Sequence, residues 1–178
     1  MTVAVTSTEP VTVRLMRVED LGEVTNLFHG ADDDALHDRF FTLGDRVVAA
    51  HLADLTALSH PRCHVAVADG HVVGIAEMAP IEAGTEEVAF FVATGRHHHG
   101  IGTTLLAAAI ADARFRGVRT LVADVLATNH LMLQVFTDAG ATLSRQDGEV
   151  RVTLPVDVTG LTMSDDAPVV VVPTDFDG

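Results

Sequence analysis

A strand-like run, two glycines and a helix follow one another in VATGRHHHGIGTTLLAAAIADA, residues 92–113. EEVAFFV (86–92) has strand character, residues 102–115 have helical spacing, and Gly100 and Gly102 stand where one becomes the other. A strand that turns into a helix within so few residues implies a sheet layered with helices. The first turn of such a helix leaves backbone N–H groups unpaired. With the helix dipole they form an anion site, and glycine lets a diphosphate come close to the backbone. Thr103 and Thr104 can add hydroxyls, and Arg96 with His97, His98 and His99 can add positive charge. A plain tight turn is the other reading, since the stretch has neither full GxGxxG spacing nor the Lys-Ser/Thr of a Walker loop.

The flanking patterns fill in the domain. TVRLMRV (12–18) reads as an edge or first strand. Asp20 is placed to cap a helix through Leu21, Val24, Leu27 and Phe28. The acidic run Asp32-Asp33-Asp34 opens a second helix with Leu36, Phe40 and Phe41, and a third covers about 45–59. The period then changes: HVAVADGHVVGIAEM (64–78) is two strands about an Asp69-Gly70 turn. RTLVADVL (119–126) is a central strand, Asn129 to Ala139 a helix, and Arg151 to Val156 a strand. The order predicts an α/β fold: one domain over 12–156, a mixed central sheet flanked by helices. Residues 1–11 read as a flexible N-terminus and 157–178 as an acidic extension. The VVVV run at 169–172 is either a strand packed on the domain or an edge that pairs with a second copy in a homodimer.

Composition narrows the function. The 178 residues carry a net charge of −14, which argues against non-specific nucleic-acid or anionic-membrane partners and allows a cationic one. With one cysteine, Cys63, there is no intrachain disulfide. The N-terminus lacks a basic start followed by an apolar segment, so a signal peptide is not expected and the cytoplasm is the expected compartment. No metal is expected either. Adjacent histidines point apart from a regular backbone, and structural metal ligands are spaced.

The run His97-His98-His99-Gly100-Ile101-Gly102 resembles the acyl-CoA pyrophosphate loop of the GNAT acetyltransferase superfamily, Q/R-x-x-G-x-G/A, with His97 in place of the usual Gln or Arg. NHLMLQVFTDAGA, from Asn129, is similar to the family's N-xx-(M/A)-xxx-(F/Y) segment. Within the superfamily the chain most resembles bacterial protein lysine acetyltransferases of the mycobacterial cAMP-regulated type, catalytic domain only. LHDRFF (36–41), the strand pair at 64–78 and EEVAFFV add to that likeness. The resemblance implies transfer of an acetyl group from acetyl-CoA to a primary amine, in the first instance a protein lysine. It implies cofactor contacts at His97, His98, His99, Gly100, Ile101, Gly102, Thr103, Asn129 and Phe136, and an oxyanion donor in the backbone N–H of Phe91 or Val92. Phe136 stands where many members have the tyrosine that protonates the leaving thiolate, and this chain has no tyrosine.

Amine acetylation needs help in removing a proton from an ammonium of pKa about 10.4. The glutamates in range are Glu77, Glu82, Glu86 and Glu87. Strand period puts Glu87 on one face with Ala89, Phe91 and Ala93, and Glu86 on the other with Val88, Phe90 and Val92. Period does not say which face meets substrate. The resemblance does, and implies Glu87 as general base, partly buried near the phenylalanines. Two further readings are a non-catalytic acyl-CoA-binding protein and an acetyltransferase for small amines such as polyamines.

Overall fold

The computed structural model describes residues 11–40, 45–56, 62–93, 100–157 and 170–171. Their strands form one eight-stranded mixed sheet: β1 (Thr12–Leu15), β2 (Arg62–Ala68), β3 (His71–Glu82), β4 (Thr85–Val92), β5 (Thr120–Leu126), β6 (Thr142–Gln146), β7 (Glu149–Pro155) and β8 (Val170–Val171). The spatial order is β6-β7-β5-β4-β3-β2-β1-β8. Only β4 and β5 run parallel, as the α/β expectation of a mixed sheet requires.

The helices are α1 (Leu21–His29), α2 (Asp33–Phe40), α3 (Asp45–Thr56), α4 (Ile101–Phe115) and α5 (His130–Asp138). α1, α2 and α3 lie on one face, where Val24, Phe28 and Leu55 pack with Val65, Ile75 and Phe91. α4 and α5 lie on the other. Leu106 and Phe136 join Met78, Val88 and Leu121 there, and Ile101 and Leu105 join Ala76 and Val92. Gly74 lets α4 sit against β3, because a Cβ there would stand 3.1 Å from both Ile101 Cγ2 and Leu105 Cδ1.

Several local expectations hold and others change. Asp69 and Gly70 both have positive φ, as the tight hairpin turn demands. Asp20 does not cap α1 through its side chain. It is buried, and its carboxylate takes two bonds from Arg14 (2.6 and 2.8 Å) and one from the Arg17 N–H. Asp32 caps α2 through a 2.8 Å bond from the Ala35 N–H. β6 has no counterpart in the sequence pattern: every residue of TLSRQ is exposed, so no buried face left an alternation to read. β8 pairs with β1 of the same chain, Val170 opposite Val13 and Val171 opposite Thr12, so β1 is not an edge.

Candidate active site

β4 and β5 are paired only at Thr85–Thr120, Glu86–Leu121 and Glu87–Val122. Beyond Val122, β5 continues its pairing with β7 while its other edge has no strand among the described residues. The two parallel strands therefore part after three paired residues and leave a wedge whose facing backbone has no strand partner among the described residues. Buried or half-buried backbone groups need partners, and this gap is where a ligand can supply them.

The alternation of strand N–H groups fixes which atoms face it. Ala93 N–H bonds Val73 O at 2.9 Å, toward β3. Successive N–H groups point to opposite sides of a strand, so the Val92 N–H points away from β3 into the gap, and the Phe91 N–H does not. Of the two N–H groups expected as donors, that of Val92 faces the gap.

A cleft of about 230 Å³ runs through this wedge. On one face it is lined by Gly100, Gly102, Thr103, Asn129, Met132 and Val135, from the start of α4 and from α5. On the other it is lined by Phe91 and by Ala35, Asp38 and Arg39 of α2. It thus opens onto both sides of the sheet, which lets two substrates meet from opposite directions.

At the α4 end, Gly100 is left-handed (φ 69°), a conformation glycine adopts without strain. Thr104 N–H bonds back to Gly100 O, which leaves the N–H groups of Ile101, Gly102 and Thr103 without backbone partners among the described residues. A Cβ on Gly102 would meet Met132 Cε at 3.7 Å and Val135 Cγ2 at 3.8 Å, ordinary contact distances. Packing within the protein therefore does not require a glycine there. Thr103 lines the cleft. Thr104 does not: its hydroxyl is buried and turned to Gly100 O at 3.0 Å. Ile101 is in the core with its side chain enclosed, so only its backbone serves the turn. His97, His98 and His99, with Arg96, lie outside the described residues.

Asn129 works twice. Its Oδ1 accepts from the Met132 N–H at 3.1 Å and caps α5, and its amide Nδ2, in the cleft wall, has no partner among the described residues. Phe136 is enclosed beneath the cleft rather than lining it. Its ring packs edge-on against Phe90 at 5.7 Å, and no acid stands in its place.

The four glutamates separate cleanly. Glu86 is buried on the α4 side and bonded by both terminal nitrogens of Arg116, which also holds Asp112. Glu77 is buried on the α2 side, between Arg39 (2.5 Å) and His51 (2.7 Å). Burial pushes the Glu77 carboxyl up, but the His51 hydrogen bond and the Arg39 charge outweigh it and hold it below the ordinary range. Glu82 is exposed at the far end of β3. Glu87 is exposed and has no partner among the described residues. The expected partial burial of Glu87 is thus corrected. It stands opposite Ala79 and Val122, near the hairpin end of β4, while the helix packing centres on Phe91.

Sequence reasoning passed over Arg39 and Met132. Arg39 lay within LHDRFF, but no local pattern tied it to Glu77, 38 residues away.

The sheet with parted parallel strands and a glycine turn at the wedge has known counterparts. The model of the acetyltransferase (GNAT) family matches residues 28–141. The chain belongs to the acetyltransferase (GNAT) family. The GNAT domain of S. lividans PAT is similar at 29% identity, with 82% of this chain and 90% of that one covered and a TM-score of 0.73. A ribosomal-protein-alanine N-acetyltransferase from Brucella melitensis shares the fold at 23% identity, covering 79% and 96%, TM-score 0.61. A phosphinothricin acetyltransferase from Sinorhizobium meliloti, solved in complex with AcCoA, shares it at 16% identity, covering 88% and 95%, TM-score 0.66. No curated sequence matches the chain. This GNAT protein is an acetyl-CoA-dependent acyltransferase, and the cleft is its candidate active site. Among the described residues there is no cluster of three metal-ligating side chains, and no helix is long and apolar enough to cross a membrane.

Proposed function

We propose that this GNAT enzyme acetylates the side-chain amine of a protein lysine, with Glu87 as general base. The observation that carries the reading is the two-sided cleft. The α4 turn and Asn129 line one face and Phe91 and α2 the other; Glu87 does not line the cleft itself but stands on the Phe91 face of β4, at the last β4–β5 pair where the strands part, with no partner among the described residues. The resemblance of EEVAFFV to the glutamate strand of protein lysine acetyltransferases supports the acceptor class.

The residues present fit acetyl-CoA, which supplies the acyl group as a thioester. The unpaired N–H groups of Ile101, Gly102 and Thr103 would hold its pyrophosphate, with His97, His98 and His99 preceding them. Asn129 Nδ2 would bond the cofactor arm, and the Val92 N–H would donate to a carbonyl oxygen in the gap. Glu87, directly or through water, takes a proton from the incoming amine, and such help is worth about 10²–10⁴ in rate. Phe136 cannot donate a proton, so the thiolate leaves directly or by way of water. The buried Glu77 and Glu86 are already ion-paired, which makes them poor general bases.

The test is mass-spectrometric detection of acetylation on a lysine peptide, with calorimetry of acetyl-CoA binding in parallel. The reading expects modification by the wild type, little by Glu87→Gln, and equal acetyl-CoA binding by both. Equal modification by both would remove Glu87 from the role.

A further inference from the structure

Arg39 lines the cleft on the face opposite the α4 turn. Among the described residues one of its nitrogens is bonded: Nη2 donates to Glu77 Oε2. Nε is enclosed without a partner, Nη1 lacks one among the described residues, and the side chain keeps 14% of its surface exposed. The guanidinium is fixed from two sides. Glu77 holds one edge, and the Phe40 ring lies 4.9 Å from its central carbon. Glu77 is itself held by His51, and the His51 ring packs against Phe28 and Phe40. A pre-set arginine with an open donor edge is suited to bond an oxygen.

Two features say which oxygen. The pyrophosphate cradle at α4 is on the other face, so Arg39 is not part of it. The cleft wall around Arg39 is not cationic overall, because Glu77 offsets the arginine. An approaching amine is therefore not repelled, and the open Nη1 edge asks for an acceptor atom on the same molecule.

We propose that Arg39 is a specificity residue for the acceptor: its Nη1 edge takes a carbonyl oxygen carried beside the reacting amine, as in a peptidyl lysine. Polyamines carry no such oxygen and leave that edge unpaired. The inference rests on the amine-acceptor reading above and names what the acceptor must also carry.

Nα-acetyl-lysine N-methylamide and pentylamine share the aminoalkyl chain and differ in the backbone carbonyls. Their kcat/KM values are measured with wild type and with Arg39→Lys, which keeps a cation beside Glu77 but loses the open guanidinium edge. The wild type should prefer the amide by about 10- to 100-fold, the worth of one hydrogen bond to a charged group. Arg39→Lys should lose most of that preference while KM for acetyl-CoA stays unchanged. Should that variant fail to fold, Arg39→Gln/Glu77→Gln replaces the ion pair with an amide pair and takes its place. An unchanged preference in the folded variant overturns the role of Arg39 and leaves the amine reading intact. Turnover of neither amine by the wild type overturns both.

Discussion

Glu86 and Glu87 are adjacent in the chain and serve opposite faces of β4: Glu86 is buried and bonded twice by Arg116, whereas Glu87 is exposed and has no partner among the described residues. Substituting each should therefore fail in different ways. Glu87→Gln should lower kcat by about 10²-fold or more with an unchanged melting temperature. Glu86→Gln should cost about 2 kcal/mol of stability, the range for a hydrogen bond to a charged group, and leave kcat nearly intact. Steady-state kinetics and urea unfolding of both variants separate the two.

Gly102→Ala isolates the ligand's need for space. The new methyl would lie 3.7 Å from Met132 and 3.8 Å from Val135, so the fold accepts it. Alanine is also the better helix former by up to about 1 kcal/mol. Stability should hold or rise slightly while acetyl-CoA affinity falls, which calorimetry and thermal unfolding on the same sample would show. A variant that binds as tightly as wild type counts against the pyrophosphate assignment.

Asn129 combines a cap with an amide that has no partner among the described residues. Asn129→Asp keeps the capping oxygen and removes the donor; Asn129→Ala removes both. Both should bind acetyl-CoA more weakly, but only the alanine variant should lose about 1 kcal/mol of stability. Paired binding and unfolding measurements test this.

His64 predicts an acid-side loss of stability that begins near neutrality. Burial holds its imidazole below the ordinary value of 6.5, and the nearby Asp112 carboxylate opposes this less strongly. Below pH 6.5 the unfolded chain binds a proton that the folded one resists. The contribution is complete above that pH and is lost as pH falls through the lowered native value. The urea midpoint should decline from pH 7 toward pH 5, and His64→Leu should flatten that part of the curve. The paired Glu77 carboxyl, also lowered, adds a second loss only below its ordinary 4.5.

Cys63 should be inert in the folded protein. Burial, with the Glu77 charge second, pushes its thiol up to about 12, so little thiolate exists at pH 8. Iodoacetamide should label it slowly in native buffer and rapidly in urea. Rapid native labelling would overturn the enclosure of this thiol.

The sequence by itself determined the elements that local chemistry specifies. Asp69-Gly70 has a hairpin's turn chemistry, Gly100 marks the start of α4, Asn129 marks the start of α5, and the alternation in EEVAFFV assigns its two glutamates to opposite faces. Each of these depends on residues within a few positions of one another. β6 escaped because an exposed strand has no face to mark it, and the pairing of β8 with β1 escaped because pairing between distant strands has no local signature.

Only the tertiary structure decided what those faces meet. The parting of β4 from β5 follows from which strand each keeps as its other neighbour. The partners that occupy Glu77 and Glu86 come from 26 to 38 residues away. The opening of the cleft to both sides, the Val92 N–H facing it and the open edge of Arg39 depend on the same long-range placement. Period-two alternation says which residues share a face. It carries no information about which helix covers that face or which charge arrives with it.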